Sequence, residues 1–255
     1  PGQRAPAAGS QLVGKKEDDG EWFYLSTWRQ KKEWSPAEVA SATSIGEVWL
    51  LFEDEQRFGA QVAHRLEASG ATVFRVQTGA VYDETGSNLF QIDVHEPNDY
   101  QRLLHRLPAF PTHVLHLWGM DGETTAVSAS ARFADAQQRG FYSLIFLLQA
   151  IEHYPEELTI WAVTANGQMV TGTEVLCPER TTILGACRVI AQENANISCG
   201  YIDVEWPVGA AWRQAWLADQ LLAEIKRPPQ ELAVAFRGRR RWAQAFDPVY
   251  LPDCG

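Results

Sequence analysis

The sequence predicts an α/β fold: a doubly wound, mostly parallel sheet flanked by helices. Two observations carry this expectation. Short, continuous apolar runs recur at 48–52, 72–76, 113–118, 158–164 and 197–205, as strands covered on both faces require. Between them the apolar residues repeat with a helical period, and alternating strands and helices build parallel sheets. The 255 residues suffice for one large α/β domain or two small ones.

Taken in order, residues 1–20 are rich in Gly, Pro, Ala and charge and read as a linker. Residues 21–46 hold an aromatic entry strand, 22–28, followed by a polar connector. The main body, 47–250, opens on Val48, Trp49, Leu50, Leu51 and Phe52. Phe58, Val62 and Leu66 form a helical stripe, and Gly70 stops that helix. A strand at 72–76, a further strand at 89–94, a short helix at 97–107 and a strand at 113–118 follow. A long helix is expected at 136–153 and a strand at 158–164. Pro178 stands at the favoured first position of the next helix, whose Ile183, Ala186, Cys187 and Ile190 share one face. After a strand at 197–205, a helix at 212–226 stops at Pro228 and Pro229. Strands at 231–236 and 241–246 close the body, and 251–255 begin a further linker. No internal repeat is visible.

Composition excludes several functions. A net charge of −10 gives nucleic-acid binding no electrostatic support. The one basic run, Arg237 and Arg239 to Arg241, reads as a solvated or partner-facing edge. Ten tryptophans point to a well-filled core. The four cysteines form no C-x-x-C pair and meet no histidine cluster, so no metal site is expected. They fit reduced thiols of a cytoplasmic protein. No apolar run reaches the ~18 residues of a membrane span. The start carries no signal peptide, and a first residue of proline suggests an excised fragment.

A doubly wound sheet binds ligands at the carboxyl ends of its strands. A dinucleotide loop after the first strand needs G-x-G-x-x-G, so that backbone can approach the pyrophosphate. Here the loop reads Glu53, Asp54, Glu55, Gln56, Arg57, Phe58, Gly59, and no G-x-G occurs anywhere among the 19 glycines. Three carboxylates would repel a phosphate, with Arg57 offsetting at most one. Trp118 stands before Gly119, where it would fill cofactor space. Short-chain reductases also need a Tyr with its pKa lowered by Lys, beside a Ser. Thr164 and Asn166 follow the strand at 158–164, yet neither Tyr nor Lys occurs between Pro155 and Gly200. Asn166–Gly167 reads as a turn. Asp93 before Val94 and His95 resembles an adenine-holding aspartate but reads as a turn cap. His113 and His116 fall on opposite faces of a strand and cannot share a metal. Cys187 and Cys199 read as core thiols without a base. No catalytic, cofactor-binding or metal-ligating residue is therefore assigned.

Three stretches resemble modular type I polyketide synthase ketoreductases. Residues 178–193, PERTTILGACRVIAQE, resemble the family's P-x-x-A-x-L-x-G-x-x-R-V-I-x-Q-E, and Ile202–Asp203 its x-x-I-D strand. Residues 234–242, VAFRGRRRW, resemble V-A-Y-R-G-G-x-R-W, which closes that family's first subdomain. The match covers roughly residues 22–250. In that family the first half is a truncated Rossmann-like structural subdomain, and the second half binds NADPH and carries the catalytic residues. The resemblance implies a non-catalytic, N-terminal structural subdomain, or a pseudo-ketoreductase, with no cofactor of its own. Its implied partners are the catalytic ketoreductase half and neighbouring synthase domains, an acyl carrier protein indirectly, and neither nucleic acid nor membrane. In such modules either an enoylreductase or a methyltransferase is a further implied neighbour, and the sequence does not choose between them. Rival readings are a nucleotide-binding regulatory domain and a small-molecule enzyme with an unconventional site near 119–122 or 171–173.

Overall fold

The computed structural model describes residues 23–35, 37–38, 45–121, 128–206 and 211–249. The expected linkers at 1–20 and 251–255, and much of the connector, lie outside the described residues. Residues Trp28–Gln244 form one compact unit, and the described chain ends, through Thr27 and from Ala245, belong to a second.

The strands are β1 (Phe23–Lys31), β2 (Val48–Phe52), β3 (Thr72–Thr78), β4 (Asp83–Gly86), β5 (Leu89–Ile92), β6 (His113–Gly119), β7 (Leu158–Ala165), β8 (Ile197–Val204), β9 (Val234–Arg237) and β10 (Arg240–Val249). They form one ten-stranded sheet in the order β1-β10-β9-β8-β7-β6-β2-β3-β5-β4. From β5 to β9 across the sheet every pairing is parallel, while β4 runs antiparallel to β5 and β10 antiparallel to β9. The order reverses between β2 and β6, so the strand ends diverge there and open a crevice. This is the fold class expected from the sequence.

The helices are α1 (Phe58–Ala68), α2 (Pro97–Arg106), α3 (Ala129–Ala136), α4 (Ser143–Ile151), α5 (Thr182–Glu193) and α6 (Ala211–Ile225). A π-helical segment, Gln137–Tyr142, joins α3 to α4, so the expected helix at 136–153 begins seven residues earlier, at Ala129. Each side of the sheet buries its own core. Leu50, Phe52, Tyr100, Leu147, Ile183 and Ile190 join one, under α2, α4 and α5. Trp49, Leu51, Phe58, Leu66, Leu217 and Leu221 join the other, under α1 and α6. Alternation along β2 explains the split, because successive side chains leave opposite faces.

Most of the described tryptophans serve the core, as expected. Trp161 lies opposite Gly200 in the β7–β8 ladder and donates its indole N–H to the Ile225 carbonyl at 3.1 Å. A Cβ on Gly200 would lie 2.3 Å from the Trp161 ring, so only glycine admits the ring there. The stretch after β1 is not merely polar connector. Trp34 donates its ring N–H to Glu224 at 2.7 Å, exchanges two hydrogen bonds between its backbone and the Gln220 side-chain amide, and lies under the guanidiniums of Arg227 and Arg241. Arg241 in turn makes two 2.7 Å hydrogen bonds to Glu224.

Glu224→Ala should therefore strip partners from a buried guanidinium and from an indole N–H together. The expected loss is about 3–5 kcal/mol, the usual cost of leaving one member of a buried pair alone. Urea unfolding followed by tryptophan fluorescence measures it; a loss below ~1 kcal/mol would contradict the staple.

Candidate functional site

The first site to consider is the loop between β2 and α1. Its three carboxylates have three different partners. Glu53 is buried and accepts from Arg75 Nη2 on both oxygens, at 2.6 and 2.7 Å, and from Gln77 at 2.8 Å. Asp54 is buried and accepts the backbone N–H of Phe58 at 3.1 Å and of Gly59 at 2.6 Å. Glu55 pairs with Arg139 at 2.7 Å. Arg57, expected to offset one of these charges, instead turns the chain into α1 with φ 61° and stays exposed. The neutralising cations come from Arg75 on β3 and Arg139 on the π-helical segment.

Asp54 matters most here. The first N–H groups of a helix lack partners within it and carry the positive end of the helix dipole, which is why dinucleotide folds seat a pyrophosphate there. In this chain a side-chain carboxyl already holds two of those N–H groups. Burial raises the Asp54 pKa, and the two N–H donors oppose that rise. The remaining glycine of the loop has a packing role. A Cβ on Gly59 would lie 2.9 Å from Leu117 and 3.0 Å from Leu51, so glycine lets α1 sit close on the sheet.

Trp118 is buried, packs edge-on against Phe52 with ring centroids 4.9 Å apart, and donates to the Glu53 carbonyl at 3.1 Å. It thus backs the loop from the end of β6. Two residues past Gly119, Asp121 is buried and accepts from the Glu55 N–H at 2.8 Å and from Arg139 at 3.1 Å. Desolvation raises its pKa from 3.8 to about 7, although the Glu55 N–H and Arg139 pull the other way. Asp121, Arg139 and Arg180 help line a 520 Å³ crevice past β6. Gly122, part of one stretch the small-molecule reading would use, lies outside the described residues.

A second buried network closes the ends of β7, β8 and β9. Asp203 is fully buried and accepts from Thr164 Oγ1 at 2.5 Å, Gly167 N–H at 2.9 Å, Gln168 N–H at 3.2 Å and the Arg237 guanidinium. Arg237 also binds Glu174 at 3.2 Å. Glu174 gathers the backbone N–H groups of Val170, Thr171 and Gly172, so the stretch at 171–173 is wrapped around this carboxylate. Burial works against that charge, but the Thr171 and Val170 donors hold its pKa down at about 2. Tyr201 is a buried phenol hydrogen-bonded to Thr164 at 2.7 Å, and burial raises its pKa, against what a proton donor needs.

This corrects the reading of the basic run. Arg237 and Arg241 are buried and ion-paired, and only Arg239 and Arg240 are exposed. An Asp inside the apolar strand 201–204 was the available signal, because a buried carboxylate needs a cation. Asn166 forms the expected turn, with φ 55°, and pairs with the backbone of Trp206.

The remaining candidates separate as follows. Asp93 accepts the His95 N–H at 2.9 Å, a turn cap as expected. His113 stacks on Trp49 in one core, and His116 lies beside Phe52 and Trp118 in the other, so they do face apart. Full burial lowers the His116 pKa to about 3. Ser143 gives its hydroxyl proton to carbonyls of the π-helical segment and so accepts from His116 Nε2 at 2.8 Å. Cys187 is buried and Cys199 partly buried against one core, and the neighbouring Cys187 together with burial pushes the Cys199 thiol up. Among the described residues, no group of three or more His, Cys, Asp or Glu side chains could hold a metal. No described helix is long and apolar enough to cross a membrane.

The family model described as beta-ketoacyl synthase-like, N-terminal, matches residues 47–212. Among solved structures, the adenylation, ketoreductase and pseudo-Asub multidomain structure of a keto acid-selecting NRPS module is similar at 21% identity and a TM-score of 0.78. The likeness covers 90% of this chain and 19% of that one. An N-terminal ketoreductase from the macrolactin assembly line is similar at 17% identity and a TM-score of 0.67, over 89% of this chain and 44% of that one. A Serratia marcescens short-chain dehydrogenase/reductase variant reaches a TM-score of 0.52 at 16% identity, over 76% of this chain and 97% of that one. At these identities the likeness is one of fold, and it is the ketoreductase fold that the sequence motifs resemble. The chain spans less than half the length of the first two. No curated protein sequence matches it.

Asp121 gives this region a measurable pH signature. Its pKa is raised on folding, so between about pH 4 and 7 the folded chain keeps a proton that the unfolded chain releases. Stability should therefore fall as pH rises through that window, by up to about 1.4 kcal/mol per unit for this group. Asp121→Asn removes this titrating group. The drop in unfolding free energy from pH 5 to pH 7.5, measured in urea, should be smaller in the variant by about 1–3 kcal/mol. Equal drops would contradict the assignment.

Proposed function

We propose that this chain, which belongs to the beta-ketoacyl synthase-like, N-terminal family, is the non-catalytic structural half of a polyketide synthase ketoreductase or a pseudo-ketoreductase. It holds in place an NADPH-dependent catalytic half that reduces carrier-protein-bound β-ketoacyl chains. One observation carries the reading: in a sheet of reductase order, Asp54 sits on the helix N-terminus where a pyrophosphate would have to bind. The buried Asp203, Arg237 and Glu174 network supports it from the other end of the edge, since its groups are spent on one another.

A scaffold needs a face as well as a closed edge. An apolar groove of 690 Å³ runs between α4 and α5, walled by Ile145, Leu148, Ala186, Val189 and Ile190. On the helical layer beside it Phe133, Tyr142 and Val189 are about half exposed, at 51%, 46% and 49%. Exposed apolar surface that persists on a folded chain marks interaction sites. We assign this face to the catalytic half, the portion that the matched ketoreductases have beyond the 44% covered here.

Two measurements test the proposal. Calorimetry with NADPH should show no saturable binding up to millimolar concentration; a micromolar dissociation constant would overturn the scaffold reading. Catalytic half supplied separately should bind the chain, and Val189→Asp, at a half-exposed position, should weaken that binding at least tenfold with the fold intact by circular dichroism. Asp54→Ala should leave turnover of the assembled pair within about twofold, since ~1.4 kcal/mol separates each tenfold step. A hundredfold fall in turnover would place the loop in the chemistry.

A further inference from the structure

We propose that the catalytic half docks by a helix laid in the groove between α4 and α5, its backbone close against Gly185 and a cationic end against Glu152 and Glu193. This rests on the scaffold reading and names the part of the partner that the face takes. Three local features of the face weaken the chain when it stands alone. Gly185 lies inside α5, where glycine is a poorer helix former than alanine. A Cβ there would meet no atom within 4 Å, so no packing among the described residues requires the glycine. One turn further on, Val189 is half exposed. Glu193 ends α5 and Glu152 caps the C-terminal end of α4, where the helix dipole is negative and favours cations. Neither helix has a basic residue in its last turn, and both carboxylates are exposed.

All of these features meet in one groove. Gly185, Val189 and Glu193 are spaced four apart, so they form one stripe along α5, and all three line the 690 Å³ groove. Ile145 and Leu148 of α4 wall its other side. The two carboxylates stand at the same end. There the Asn196 amide donates to the Tyr154 carbonyl at 3.3 Å and the Glu156 carbonyl at 3.0 Å, which ties the chain just past α4 to the chain just past α5. A groove that is apolar along its length and anionic at one end complements an amphipathic helix with Lys or Arg at that end. Packed helices lie about 8–10 Å apart, depending on the side chains at the crossing, and a missing Cβ at Gly185 allows the shorter distance. A second copy of this chain does not fit as the occupant. Its matching face would have to meet this one, and the groove is lined by neither Lys nor Arg.

The test titrates the catalytic half of the same synthase into the full chain by calorimetry, at low and at high salt. Two variants are compared with wild type: Gly185→Leu, and Glu152→Lys combined with Glu193→Lys. All three positions are exposed, and each change favours its helix, so both variants should melt no lower than wild type. Gly185→Leu should weaken the complex roughly tenfold or more, because the new side chain holds the incoming helix away. The charge-reversed variant should weaken it by a similar factor and remove most of the salt dependence of binding. Unchanged affinity in either variant, with Val189→Asp still blocking the complex, would overturn the docked helix and leave the scaffold reading standing. A wild-type chain that does not bind the catalytic half at all would remove both. A chain that dimerises alone in sedimentation, with Gly185→Leu disrupting the dimer, would make the groove a contact between copies and overturn the proposal.

Discussion

Asp54 on the N-terminus of α1 is the contact around which the carboxyl edge of the sheet is arranged. A helix terminus that faces a crevice must have its N–H groups satisfied by a ligand, by water or by the chain itself. Once the chain supplies a buried carboxyl, its neighbours follow. Glu53 needs Arg75 and Gln77, and Glu55 and Asp121 share Arg139. Arg139 reaches both because the π-helical segment carries it over the end of β6. Beyond β7 the same logic recurs with Asp203, Arg237 and Glu174. Each pair is costly to bury and costlier to break, so the edge holds as a connected set.

Much of the fold was legible because the central strands are apolar on both faces. The run at 48–52 is β2 residue for residue, and the α5 face of Ile183, Ala186, Cys187 and Ile190 is buried as its spacing required. Elements without that signal were missed. β4 reads Asp83, Glu84, Thr85 and Gly86, all exposed, and pairs antiparallel with β5 without an apolar face. The π-helical segment changes the residues per turn without changing composition, so no apolar period announces it. Buried charge was the hardest to see. Arg237 and Arg241 look alike to Arg239 and Arg240 in sequence, and what sets them apart is their buried partners, Asp203 and Glu174 for Arg237 and Glu224 for Arg241.

The loop after β2 was legible as a loss: glycines absent, carboxylates present. What the sequence could not say is where the carboxylates go, since Arg75 and Arg139 are distant in sequence and Arg57 is adjacent. The split between a closed edge and an open helical face is the structural basis of the scaffold reading. A fold that elsewhere supports chemistry at its strand ends can keep its packing and place its specificity on α4 and α5.

The fit of Trp161 over Gly200 reaches beyond this one chain. The two positions share a single volume across the β7–β8 ladder, so neither can drift alone. Descendants of this sequence that enlarge residue 200 have to shrink residue 161, and that smaller side chain gives up the hydrogen bond to the end of α6. The pair should therefore be inherited as a unit. In distant relatives it would appear as covariation between two neighbouring strands.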